Sequence, residues 1–274
     1  MNCIVCSQEA RFVFEETVLY KHLVKYYKCS SCGQMQTEEP YWLGEAYQTA
    51  ITSQDIGLLE RNISLKDTVY RLAIDHFDTS RKMLDFGGGY GILVRLLRDK
   101  GLDFYRQDIY CDNIFAVNHD ITDLRPEEQH FELLTCFEVF EHTYEPIELF
   151  ESLTKLSAHI LVSTLLVPET KIKSSADWWY ISPETGQHVA FYTLNSLEVV
   201  ARRFNLNLYS NGENLHLFTT KIFAKNPLVQ RNKLFDKLSA KWRAFSMSPS
   251  KALPNLIERD LQLVKERAYA KKKI

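Results

Sequence analysis

Arg81-Lys82-Met83-Leu84-Asp85-Phe86-Gly87-Gly88-Gly89-Tyr90-Gly91 is the stretch on which the reading of this chain turns. Met83 to Phe86 reads as the end of a short buried strand, and the glycines that follow form a tight turn. Ile92, Leu93, Leu96 and Leu97 then recur at helical spacing, and Lys100-Gly101 closes the helix with a cation and a glycine. A strand, a glycine turn and a helix opening on that turn let a nucleotide approach the backbone closely in α/β proteins.

The spacing selects among nucleotides. A dinucleotide site wants G-x-G-x-x-G, and here the third glycine is missing. In its place stands Asp85-x-Gly87-x-Gly89-x-Gly91, with a carboxylate ahead of the turn. That carboxylate repels a pyrophosphate but can pair with the ammonium of an amino acid. S-adenosylmethionine carries an ammonium and a ribose and no phosphate, so the pattern favours it over NAD. A second acidic residue agrees: Asp103 to Gln107 reads as the next strand and ends at Asp108, about 20 positions after the turn, where such folds hold ribose hydroxyls.

On these residues the chain resembles the class I S-adenosylmethionine-dependent methyltransferases. It is most similar to a bacterial group with Glu138-Val139-Phe140-Glu141-His142 and Gly186-Gln187-His188-Val189-Ala190-Phe191-Tyr192 in the second half. The likeness spans roughly residues 41 to 224. It implies a parallel sheet with a terminal antiparallel hairpin. It also implies a cofactor held by Asp85, Gly87, Gly88, Gly89 and Asp108. In the same pattern Asp120 and Ile121 lie beside the adenine, and helices before the first strand cover the cofactor. Arg61 is then placed to meet the methionine carboxylate.

Phe131 to Phe137 reads as a further strand, with Glu138 to His142 at its C-terminal end. Ligands of open α/β sheets gather outside the carboxyl ends of the strands, which brings Phe137, Glu138, Glu141 and His142 near the transferred methyl. His142 is the first candidate for a general base, because an imidazole titrates near neutral pH. His188 and Tyr192 offer a second base or a substrate hydrogen bond. They border a long insertion, 168–192, whose Trp178 and Trp179 suggest either a binding surface or a plug over the core. A helix from Glu145-Pro146 to Leu156, a strand from Ala158 to Thr164 and a capping box Asn195-x-x-Glu198 come next. The Asn211-Gly212 turn joins two strands of a closing hairpin.

At the other end, Cys3-x-x-Cys6 and Cys29-x-x-Cys32 form two knuckles separated by 22 residues. Their thiolates converge naturally on one tetrahedral ion, so a structural zinc ribbon is expected with Cys3, Cys6, Cys29 and Cys32 as ligands. The ribbon serves either as a staple for a segment with no core or as a substrate-recognition module. Cys111 and Cys136 read as small buried side chains.

The composition, 45% hydrophobic and 25% charged with net charge −2, is that of an ordinary globular chain. No apolar run is long enough for a membrane span and no signal-peptide pattern is present, so a cytoplasmic protein is expected. From Leu228 onward 12 Lys or Arg face 4 Asp or Glu, which makes the tail basic and the remainder acidic. Four segments follow: a ribbon over 1–40, a helical connector over 41–80, the methyltransferase domain over 81–225 and a basic helical tail over 226–274. The expected activity is methyl transfer to a small molecule, a sugar or related metabolite. Two alternatives remain. Ribosomal RNA methyltransferases also carry a zinc ribbon ahead of this domain, and the basic tail suits nucleic acid. A non-enzymatic adaptor would keep the fold, but the intact Asp85, Gly87, Gly89 and Asp108 speak against it. The oligomeric state is not legible.

Overall fold

The computed structural model describes residues 1–47 and 56–229, with residues 253, 254, 256, 259, 260, 262 and 263 of the C-terminal segment. The basic helical tail expected over 226–274 falls mainly outside the described residues.

The N-terminal part is a hairpin, β1 (Ala10–Val18) against β2 (His22–Cys29), followed by β3 (Met35–Thr37). The short α1 (Leu43–Ala46) and the long α2 (Leu58–His76) lead into the central sheet. That sheet contains β4 (Met83–Phe86), β5 (Phe104–Gln107), β6 (Leu134–Phe137) and β7 (His159–Ser163), with α3 (Ile92–Arg98) and α4 (Pro146–Leu156) between strands. The chain ends its regular part with β8 (Ala190–Phe191), α5 (Leu194–Arg203), β9 (Asn207–Ser210) and β10 (Leu215–Thr219).

The central strands run in the order β5-β4-β6-β7-β10-β9. The first four are mutually parallel, and β10 lies antiparallel to both β7 and β9. The expected closing hairpin is present, with its last strand inserted inside its first. Strand β7 is buried at every position, with an apolar centre of Ile160, Leu161 and Val162 between His159 and Ser163. Leu84, Leu134, Ile160, Leu161, Val162 and Phe218 are fully buried, each contributing about 1.5–3 kcal/mol.

Three local readings move. Within the expected connector over 41–80, helix α2 forms only from Leu58 to His76, and its first turns pack along a cavity that sequence periodicity does not reveal. The helix α5 cap is Thr193 with Ser196, not Asn195 with Glu198: the Thr193 hydroxyl accepts the Ser196 N–H at 3.1 Å, and the Ser196 hydroxyl accepts the Thr193 N–H at 2.9 Å. Asn195 instead donates to the Ser31 carbonyl at 3.2 Å. The N-terminal sheet is also not confined to 1–40. Strand β3 pairs with β8, and a Cβ on Gly186 would lie 2.9 Å from side chains of Val18 and Leu19. The insertion is thus part of the ribbon's packing.

The described tail residues dock chiefly through the buried acid Asp260, with the exposed Arg259 adding a contact to Asp103 at 3.0 Å. Arg98, fully buried on α3, donates to Asp260 from Nε at 2.8 Å and from Nη2 at 2.9 Å. Arg95 lies 2.9 Å and His119 3.3 Å from the same carboxylate. Burial opposes ionisation of Asp260, but these partners hold its carboxyl well below the usual range.

Candidate active site

A cavity of about 980 Å³ opens at the carboxyl ends of β4, β5 and β6. Its floor is the glycine turn. Gly87, Gly89 and Gly91 all take positive φ, and a Cβ on Gly87 would lie 2.5 Å from Val139 Cγ2. Asp85 is buried at the end of β4 with Oδ1 accepting from the Thr135 hydroxyl at 2.6 Å. Burial, reinforced by the charge of Asp108, pushes its pKa up to about 7 despite Thr135 and Arg106. A cation brought next to it would restore the charged form.

Asp108 lines the same cavity and organises the loops around it. The Gly89 N–H donates to Oδ2 at 2.9 Å, and the N–H groups of Tyr110 and Cys111 donate to Oδ1 at 2.8 Å each. One lone pair of Oδ2 is left to accept a further hydrogen bond. The side chain that sequence reasoning missed is Arg106. It is buried on β5, donates to the Gly89 carbonyl at 2.5 Å and to Asp120 at 2.6 Å, and also holds the Cys111 carbonyl. An alternating charge in a predicted strand was its only signal.

Of the expected cofactor residues, Arg61, Asp85, Gly87, Gly88, Gly89, Asp108 and Phe137 line the cavity. Asp120 and Ile121 do not. Asp120 is turned onto Arg106, and its N–H donates to Asp123 in a capping box that opens a short turn. Two tyrosines not foreseen from sequence face each other across the opening: Tyr47 and Tyr110 stack at 5.2 Å and 16°. Trp42 is not part of the wall but is buried, donating to the Gly186 carbonyl at 2.8 Å.

Glu138, Val139, His142, Tyr144, Glu145 and Gln187 also line the cavity. Glu138 sits at φ 53°, a strained conformation for a non-glycine residue. Its N–H donates to the Ser163 hydroxyl at 2.9 Å, and that hydroxyl donates back to Oε1 at 2.6 Å. His142 lines the wall with Nδ1 donating to the Gln187 carbonyl at 3.1 Å, and burial lowers its pKa. His188 stands behind it, outside the wall, with ring centres 4.8 Å apart. Tyr192 is corrected outright. It is fully buried, its hydroxyl donates to the Phe140 carbonyl at 3.0 Å, and it packs in the core. Sequence spacing cannot separate such a tyrosine from a catalytic one. The tryptophans resolve similarly, with Trp178 in the core and Trp179 76% exposed away from the cavity.

The cysteine cluster is compact. Cys3 and Cys32 sulfurs lie 3.6 Å apart and those of Cys6 and Cys29 3.5 Å. Two ligands of a tetrahedral zinc–thiolate site are about 3.8 Å apart, so the four sulfurs fit a metal. Backbone N–H groups of Val5, Ser31 and Cys32 already point at Cys3 and Cys29 sulfurs, at 3.4–3.5 Å, as they would toward thiolates.

A parallel sheet with one inserted antiparallel strand, and a glycine turn flanked by Asp85 and Asp108 at its carboxyl edge, fit a class: enzymes that take a methyl group from S-adenosylmethionine. Residues 59–211 match a family model described as Methyltransferase domain, and the chain belongs to that family. Among solved structures it is similar to the plantazolicin methyltransferase BpumL in complex with a monoazolic desmethylPZN analogue and SAH (17% identity, 72% of this chain and 87% of that one, TM-score 0.43). It is also similar to the mitomycin 7-O-methyltransferase MmcR (12% identity, 65% and 60%, TM-score 0.41). A third is human N-acetylserotonin methyltransferase in complex with SAM (14% identity, 66% of each chain, TM-score 0.39). No curated protein matches the chain.

Proposed function

We propose that this chain transfers the sulfonium methyl of S-adenosylmethionine to a small acceptor that carries no phosphate, a sugar or related metabolite. The observation that supports this best is one cavity lined both by Asp85, the glycine turn, Asp108 and Phe137 and by Glu138, His142, Tyr144 and Gln187. Asp85 pairs with the ammonium, Arg61 with the carboxylate, and Asp108 with a ribose hydroxyl. The sulfonium supplies an already activated methyl, so the protein's main task is to align donor and acceptor. The acceptor's nucleophile meets the wall of Glu138 and His142, where its proton can be drawn off.

The charge of the lining argues for the acceptor class. Glu39, Asp85, Asp108, Glu138 and Glu145 face the cavity against Arg61 as its one cationic residue of Lys or Arg type, among the described residues. Such a wall repels phosphates, which weighs against RNA and against nucleotide-linked sugars. The cysteine cluster is read as a structural zinc site that staples the hairpin onto the insertion.

Calorimetric titration with S-adenosylmethionine and S-adenosylhomocysteine, on wild type and Asp108→Ala, tests the reading. Micromolar binding that the variant loses supports it, and an acceptor screen of neutral and amine metabolites follows. Absence of binding to wild type removes the enzyme reading and favours the adaptor. Salt-dependent RNA binding with methyl incorporation into RNA favours the nucleic-acid reading.

A further inference from the structure

The structure assigns a second metal site, for a divalent first-row transition ion, to Glu141, His142 and His188. One donor atom from each lies within 4.8 Å of the others, and the ion would draw them to about 3.3 Å. Two imidazoles and one carboxylate are a recurrent ligand set for zinc and for iron(II), with coordination positions left open.

Three features of the cluster match what a metal asks of its ligands. Both rings are oriented from behind: His142 Nδ1 donates to the Gln187 carbonyl at 3.1 Å and His188 Nδ1 to the Tyr180 carbonyl at 2.6 Å. Each tautomer is thereby fixed with its lone pair on Nε2, the usual arrangement around ligating histidines. Glu141 is fully buried, and its Oε2 has no hydrogen-bond partner. Oε1 accepts from the Tyr180 hydroxyl at 2.6 Å, so the carboxylate is held while one oxygen stays unpaired. A buried carboxylate oxygen without a partner is costly, and an ion beside it removes that cost.

The site adjoins the cavity through His142. On the methyl-transfer reading, and only on it, an oxygen or nitrogen of the acceptor can then occupy an open position of the ion, and with His142 Nε2 committed to the ion it is Glu138 that is left to take the acceptor's proton.

Zinc is the probe. The full-length chain, its Glu141→Gln and its His188→Ala variants are equilibrated with Zn²⁺, dialysed and counted by elemental analysis. Each variant is expected to hold one zinc fewer than wild type while still binding S-adenosylhomocysteine. Equal counts in wild type and folded variants overturn the site. Zinc-edge X-ray absorption of wild type covers the case of variants that do not fold: nitrogen and oxygen ligands are expected, and sulfur ligands alone overturn the proposal. Zinc lost from the variants in a chain that never binds S-adenosylhomocysteine would refute the methyltransferase reading and leave the metal site standing.

Discussion

Asp85→Asn should give a chain that is more stable than wild type and no longer binds the cofactor well. Asp85 is 4% exposed, and its pKa is about 7 against an ordinary 3.8. Its folded form therefore holds a proton about a thousandfold more tightly than the unfolded chain, which corresponds to about 4 kcal/mol of destabilisation once the group is ionised. The sign follows directly. Because the folded pKa is raised, the penalty is absent below about pH 4 and complete above about pH 7. Wild-type stability should rise as pH falls from 8 toward 5, apart from what other groups contribute. Asparagine keeps the shape, so the variant should lose this part of the pH dependence and gain on the order of 2–4 kcal/mol at pH 8. Cofactor binding responds in the opposite direction. The ammonium needs the carboxylate, so wild-type affinity should fall about tenfold per pH unit below 7. The variant should bind about 10–100-fold more weakly at pH 8, the worth of a charge-assisted contact. Urea unfolding and calorimetric titration between pH 5.5 and 8 read both effects. A variant less stable than wild type at pH 8 that still binds normally would refute the argument, since burial would then not be tuned for a cation.

Other substitutions follow from the same geometry. Arg106→Met should loosen the Gly89 and Cys111 loops together, because Arg106 holds both carbonyls and Asp120. A loss of about 3–5 kcal/mol in denaturant unfolding is expected, with cofactor affinity lost alongside. Asp260→Ala should cost a similar ~3–5 kcal/mol by leaving buried Arg98 uncompensated, while cofactor affinity measured well below the melting temperature stays near wild type. Cys29→Ser should lower the zinc count by one per chain and expose the β3–β8 edge to proteolysis, whereas Cys136→Ser should leave the metal count unchanged.

No helix among the described residues is long and apolar enough to cross a membrane. That agrees with the hydropathy of the sequence and says nothing further about where the chain works.

What could be read in advance was local. The glycine turn needs its residues within a few positions of one another, so Met83 to Gly91 announced strand, turn and helix without tertiary information. Asp108 was legible because the length of one βα unit fixes its distance from the turn. The cysteine pairs were legible from their C-x-x-C spacing, although the short sulfur contacts run between the pairs. Asp120 and Tyr192 were misjudged because their partners, Arg106 and the Phe140 carbonyl, come from elsewhere in the chain.

The sequence by itself determined the order of strands and helices, the cofactor-side motif and the paired cysteines, because each depends on short-range spacing and burial periodicity. Only the tertiary structure decided which polar side chains face the cavity, that Arg106 clamps its loops, and that Glu141 and His142 meet His188 across nearly fifty residues of chain. The physical reason is that a polar group's role is set by what satisfies its hydrogen bonds and charge once water is excluded, and those partners are chosen by packing rather than by spacing.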